Sequence, residues 1–119
     1  MSIPGERRVL VVEDEVVVAM LIKEMLQTLG YEVAALSTHL DEALRLARTA
    51  TYDLALLDIN LNGRQSFPIA EAVRDRGLPF LFASGYGARM LAGRFPGVPL
   101  LQKPFSLDEL RAALEQLSR

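Results

Sequence analysis

The sequence predicts an α/β fold built on a parallel sheet, and three observations carry that prediction. Short apolar runs alternate with longer segments of helical period, in five successive units. The runs are continuously apolar rather than alternating, as strands covered on both faces are. The chain has 119 residues, half of them hydrophobic, with eight Gly, six Pro and no Cys, which suits one compact domain with an ordinary core.

The candidate strands are Val9–Val12, Val33–Leu36, Asp53–Leu57, Phe80–Ala83 and Leu100–Gln102. After Asp14, the residues Val18, Leu21, Ile22, Met25, Leu26 and Leu29 follow the spacing of a buried helical stripe, and Gly30 supplies a left-handed C-terminal residue. Leu40, Ala43, Leu44 and Ala47 mark a second helix with Thr38 as N-cap. Ile69, Ala70 and Val73 mark a third, stopped by Gly77 and Pro79. Between Ser84 and Pro99, four glycines and two prolines weaken any helix, so a fourth helix there is expected to be short or mobile. The last helix opens on a capping box, Ser106 with Glu109, and buries Leu107, Leu110, Leu114 and Leu117. Residues 1–7 read as a polar tail on a single domain spanning 1–119.

Several functions are excluded by counting. Without cysteine there is no thiol catalysis, Cys-ligated zinc or disulfide framework. His39 is the single histidine and cannot build a multi-histidine metal site; an exposed place at the start of the second helix suits it. A net charge of −2 with no basic run argues against nucleic-acid binding. The longest apolar run, Val16–Ile22, is seven residues, against about 20 for a membrane span. With no secretory signal at the N-terminus, a soluble cytoplasmic protein is the expectation.

Ligands of open α/β sheets bind beyond the carboxyl ends of the strands. There this sequence places Glu13 and Asp14, Asp58 and Asn60, Ser84, and Lys103. Three ionised carboxylates about 5 Å apart repel by roughly 3 kcal/mol per pair at an effective dielectric near 20. A cation must compensate, and an all-oxygen donor set without Cys or clustered His favours Mg²⁺. A carboxylate is also a nucleophile in aspartyl-phosphate chemistry, and Asp58, at the end of the central strand, is the natural acceptor. Each residue alone has an ordinary explanation: Asp14 or Glu15 as a helix cap, Asp58 as a turn residue, Ser84-Gly85 as a plain turn, Lys103 as a solvated lysine. Their joint placement carries the reading.

Together, Val11-Val12-Glu13-Asp14-Glu15, Leu56-Leu57-Asp58-Ile59-Asn60-Leu61, Ser84 and Lys103-Pro104 resemble the receiver domain of bacterial two-component response regulators, in order and spacing, across essentially the whole chain. The resemblance implies a flavodoxin-like (CheY-like) three-layer sandwich, with a five-stranded parallel sheet of order 2-1-3-4-5 and five helices. It implies phosphorylation of Asp58 by a histidine kinase or histidine phosphotransfer protein. Carried over by position, Asp14, Asp58 and the Asn60 backbone carbonyl bind Mg²⁺, with Glu13 acting through water. Ser84 and Lys103 contact the phosphoryl oxygens, and the Lys103-Pro104 peptide is cis. Beyond self-phosphorylation and autodephosphorylation, no enzyme activity is implied.

Phe82-Ala83-Ser84-Gly85-Tyr86-Gly87 further resembles the signature of an output-less receiver subgroup, FAT GUY, associated with kinases of the HWE and related classes. Ser84 stands for that subgroup's Thr. In most receivers an aromatic three positions before the Lys swings inward on phosphorylation; here that position is Leu100, so the Gly-rich 84–99 segment is expected to change its order instead. Tyr86 either packs or covers the site, packing being the safer expectation. Val17 and Met20 offer either a partner-facing patch or extra core contact. The reading is a single-domain regulator signalling by protein contact or serving as a phosphorelay shuttle or sink, with a monomer favoured. Alternatives are a receiver excised from a hybrid histidine kinase and a non-phosphorylated pseudo-receiver binding module. A metal-dependent phosphatase lacks a visible general acid and substrate cap.

Overall fold

The computed structural model describes residues 7–86, 89, 91 and 93–117. Five strands, β1 (Arg8–Val12), β2 (Glu32–Ser37), β3 (Leu54–Asp58), β6 (Phe80–Ser84) and β7 (Leu100–Gln102), form a parallel sheet in the order β2-β1-β3-β6-β7. Between β3 and the third helix, β4 (Asn60–Leu61) and β5 (Arg64–Gln65) make a small antiparallel hairpin. The α-helices are α1 (Val16–Thr28), α2 (Leu40–Thr49), α3 (Phe67–Asp75) and α4 (Leu107–Leu117). This is the expected flavodoxin-like, CheY-like sandwich and strand order. None of the helices among the described residues is long and apolar enough to cross a membrane.

Because side chains alternate along a strand, each strand feeds two cores. Val9, Val11, Leu54, Leu56, Leu81 and Ala83 pack on one face with Ile22 and Leu26 of α1 and Leu110 and Leu114 of α4. Leu10, Val12, Ala55, Leu57, Phe80 and Phe82 face the other way, against α2 and α3. Both faces are dry, which is why the strand sequences show no polar alternation.

Several local expectations hold atom by atom. The Glu109 N–H donates to Ser106 Oγ at 3.0 Å while the Ser106 N–H donates to Glu109 Oε1 at 2.8 Å, closing the capping box. Gly30 and Gly77 are left-handed, at φ +90° and +75°, and end α1 and α3. The Lys103-Pro104 peptide is cis.

Other details differ from the sequence reading. The second helix is capped by His39, which is exposed and makes no side-chain cap bond; Ser37, not Thr38, orders this turn, accepting the His39 N–H and donating to Glu42 at 2.7 Å. Leu21 and Leu107 lie on the solvent side of their helices, at 56% and 37% exposure; the buried faces are made by Ala19, Ile22 and Leu26 in α1 and by Leu110, Ala113 and Leu114 in α4. The third strand begins one residue later than expected, at Leu54, and the Asp53 carboxylate just before it accepts the Arg8 N–H and guanidinium. Four α-helices form among the described residues rather than five. The expected fourth helix falls partly on positions outside the described residues (87, 88, 90 and 92). Around them Arg89 and Leu91 are in 3₁₀ turns, and left-handed Gly93, Phe95 and Gly97 are incompatible with a continuous right-handed helix. The polar tail also lies outside the described residues, apart from Arg7.

Ser66 precedes α3 as its N-cap, fully buried, and its hydroxyl makes no cap bond; its Oγ is the unpartnered buried side-chain polar atom among the described residues. A buried hydroxyl without a partner costs stability. Ser66→Ala is therefore expected to leave stability unchanged or raise it by about 1 kcal/mol in urea unfolding, and a loss of that size would show that the hydroxyl has a partner after all.

Candidate functional site

The pleat of the sheet builds the site. Continuing the alternation by two residues places Glu13 after Val9 and Val11, Asp58 after Leu54 and Leu56, and Lys103 after Leu101, all in register with the α1/α4 face. The ladder carries these ends together: Glu13 N–H donates to Ser37 O, Ile59 N–H to Ala83 O, and Lys103 N–H to Ser84 O at 2.8 Å. The result is one group of acidic side chains at one sheet edge, beside a cleft of about 580 Å³ whose lining includes Asp14, Asp58, Asn60, Ser84 and Lys103.

One oxygen from each of Glu13, Asp14 and Asp58 lies within 4.8 Å of the others. Lys103 Nζ reaches across the sheet to Glu13 Oε1 at 2.6 Å and Asp58 Oδ2 at 3.2 Å. Glu13 is fully buried and its second oxygen accepts the Glu15 N–H at 3.0 Å. Asp58 is 5% exposed. The Asn60 N–H points to Asp58 Oδ1 at the long distance of 3.4 Å. Ser84 Oγ, buried at the end of β6, accepts the Tyr86 N–H at 3.0 Å.

Electrostatics divides the carboxyls. Burial, then the Glu13 charge, pushes Asp58 up to about 7 against the pull of Lys103. Asp14 goes the other way: burial opposes its charge, but the Asn62 N–H, the neighbouring Glu13 and Asp58 carboxyls and the Lys103 charge hold it below the usual carboxylate range. Burial also works to lower Lys103, and bonding and attraction from Glu13 and Asp58 outweigh it, so its ammonium is held above its usual value.

Every residue singled out at the strand ends is thus brought to one place, with Glu13 on the inner side of Lys103 and Asp14 at the rim. Tyr86 is not packed: it is 69% exposed and its residue borders the cleft. Val17 and Met20 are exposed on α1 and add nothing to the core. The sequence reading does not include the hairpin between β4 and β5, although Asn62-Gly63 is a recognisable two-residue turn signal.

The family model for the response regulator receiver domain matches residues 9–115. With this site at the end of this sheet, the chain belongs to the response-regulator receiver family. Among solved structures it is similar to SdrG from Sphingomonas melonis Fr1, at 36% identity and a TM-score of 0.86 with 100% of both chains covered. It is also similar to the response regulator PhyR from Brucella abortus, at 32% identity and a TM-score of 0.83 over 94% of this chain and 47% of that one. The transcriptional regulatory protein PdtaR of Mycobacterium tuberculosis is 31% identical over 113 residues, 92% of this chain and 55% of PdtaR. The chain spans about half the length of the first curated relatives it matches.

The raised Asp58 has a consequence for stability. Between the unfolded carboxylate pKa near 4 and the folded value of about 7, the native state holds a proton that the unfolded chain has lost, so stability falls as pH rises through this window. In metal-free buffer, Asp58→Asn is expected to raise Tm at pH 8 by about 5–10 °C, or roughly 1–2 kcal/mol, and the gain should vanish near pH 4. A gain independent of pH would contradict this account of the carboxyl cluster.

Proposed function

We propose that this receiver accepts a phosphoryl group on Asp58 in a Mg²⁺-dependent reaction, from a histidine kinase or a histidine phosphotransfer protein. The observation that carries the proposal is a cluster of three carboxyls, Glu13, Asp14 and Asp58, of which Lys103 bonds two, leaving two uncompensated negative charges when all are ionised. The donor set is oxygen only, and it fits a hard divalent cation.

The chemistry follows from the positions. An Asp58 oxygen attacks phosphorus, the bond from phosphorus to the donor imidazole nitrogen breaks, and the nitrogen keeps the electron pair. Lys103, already 3.2 Å from Asp58 Oδ2, follows the charge onto a phosphoryl oxygen. The Ser84 hydroxyl, which takes the Tyr86 N–H on its oxygen, has a hydrogen to donate to another. Asp14, Asp58 and the Asn60 backbone carbonyl, with Glu13 through water, would hold Mg²⁺, which offsets charge developing on the phosphoryl group. The protein is not an enzyme toward other molecules: its chemistry is confined to phosphorylation and autodephosphorylation of Asp58.

The Phe82-Ala83-Ser84-Gly85-Tyr86 stretch supports membership of the FAT GUY group and a kinase of the HWE class as donor, and likeness to SdrG over the whole of both chains agrees with a receiver whose output is protein contact or phosphoryl flow. The readout runs through 84–99 rather than Leu100. Left-handed Phe95 (φ +55°) is buried there against the rings of Phe67, Phe80 and Phe82 at 5.4–5.8 Å, so this segment is tied to β6, the strand that bears Ser84.

Intact-protein mass after incubation with acetyl phosphate and Mg²⁺ tests the proposal. One added phosphoryl group is expected in the wild type and none in Asp58→Asn or with EDTA. A gain that persists in Asp58→Asn, or absence of any gain from both acetyl phosphate and phosphohistidine donors, would overturn it.

A further inference from the structure

The Asn62–Gly63 turn of the β4–β5 hairpin lies outside the lining of the cleft, yet it is bonded to Asp14 and to the side chain of Asn60, two of the residues proposed to hold the metal. Its turn residues, Asn62 and Gly63, both have positive φ, at 52° and 84°, the geometry of the type I′ turn that joins tightly twisted strands. The Asn62 backbone N–H donates to Asp14 Oδ2 at 2.9 Å, across 48 residues of sequence. The Asn62 side-chain Nδ2 donates to Thr38 O at 3.3 Å, and the Gly63 N–H donates to Asn60 Oδ1 at 3.1 Å. At the hairpin's base the Ser66 N–H donates to Ile59 O at 2.8 Å. One two-residue turn thus ties together the loops after β1, β2 and β3.

A half-buried carboxylate on a loop, as Asp14 is, still has more than one rotamer open to it, and that freedom must be given up when it binds an ion. Asp14 is at the rim of the cluster and lacks the Lys103 bonds that fix Glu13 and Asp58. Its anchor is the turn. A donor on one oxygen of a metal-binding carboxylate orients the group and raises metal affinity without touching the metal.

We propose that the Asn62–Gly63 turn is a positioning element: it holds the Asp14 carboxylate in the cluster in advance of the cation and so sets Mg²⁺ affinity, while leaving the rate of phosphoryl transfer at saturating Mg²⁺ unchanged. This rests on the phosphoacceptor reading above. Asn62 and Gly63 act through Asp14 and Asn60, and neither is a ligand.

The conformation, not the side chain alone, is what the role requires. Asn62→Val puts a β-branched residue at positive φ, where it is a strained outlier, and displaces the donor. Gly63→Ala is a milder change, strained at φ +84° although its Cβ meets nothing within 4 Å. Asn62→Gly keeps both the turn and the N–H. Mg²⁺ dissociation constants from calorimetric titration of the full chain, with acetyl phosphate phosphorylation rates measured across Mg²⁺ concentration, separate the possibilities, and thermal melts confirm folding.

Asn62→Val is expected to weaken Mg²⁺ about tenfold, the scale seen when the outer partner of a metal ligand is removed. Gly63→Ala should weaken it less, Asn62→Gly should stay near wild type, and all plateau rates should agree within about twofold. Folded Asn62→Val and Gly63→Ala proteins with wild-type affinity would overturn the inference while leaving the phosphoacceptor reading intact. So would Asn62→Gly weakening as much as Asn62→Val, or a fall in plateau rate with affinity unchanged. Failure of the wild type itself to bind Mg²⁺ would remove both.

Discussion

The Lys103 ammonium, clamped between Glu13 and Asp58, is the interaction on which the site depends. Glu13 is fully buried and Asp58 nearly so, and neither charge would be tolerated there without a partner. One ammonium does not neutralise three carboxyls, and burial, together with the Glu13 charge, pushes Asp58 up to about 7. The protein therefore carries at its sheet edge a standing electrostatic deficit, which a divalent ion or a proton relieves. Such stored repulsion is a common physical basis of a site that waits for a cation and an anionic group together.

That deficit is imposed by the fold. The same two-residue period that packs Val9 and Val11, Leu54 and Leu56, and Leu101 under α1 and α4 carries forward to Glu13, Asp58 and Lys103. Parallel pairing then puts all the strand ends at one edge. The apolar cores and the polar site are two consequences of a single register, and a one-residue slip of β3 would turn Asp58 toward α2 and α3.

This explains what the sequence made legible. Continuous apolar strands, the Ser106–Glu109 box and Gly30 are set by local chemistry, so their positions could be read directly. The residues of the site followed because strand ends are marked by the first polar residue after each run. Which side of a helix faces solvent depends on neighbours that are distant in sequence, and Leu21, Leu107 and Tyr86 are more exposed than their residue types suggest. The weakness of the fourth helix is read from glycine and proline density, whereas left-handed Phe95, held by three other phenylalanines, shows tertiary packing overriding local preference. The hairpin could have been found from Asn62-Gly63, but its bond to Asp14 spans 48 residues, and no local pattern announces such a contact.

Thermal melting at fixed pH with increasing Mg²⁺, at constant ionic strength, tests most directly whether the clustered carboxyls are a cation-seeking site. The account predicts that Tm rises with Mg²⁺ by mass action, about 2.7 kcal/mol of added stability at a hundredfold excess over Kd. It also predicts a smaller rise at pH 5, where Asp58 holds its proton, and loss of the rise in Asp14→Asn. A Tm that ignores Mg²⁺, or that Na⁺ raises equally, would contradict it.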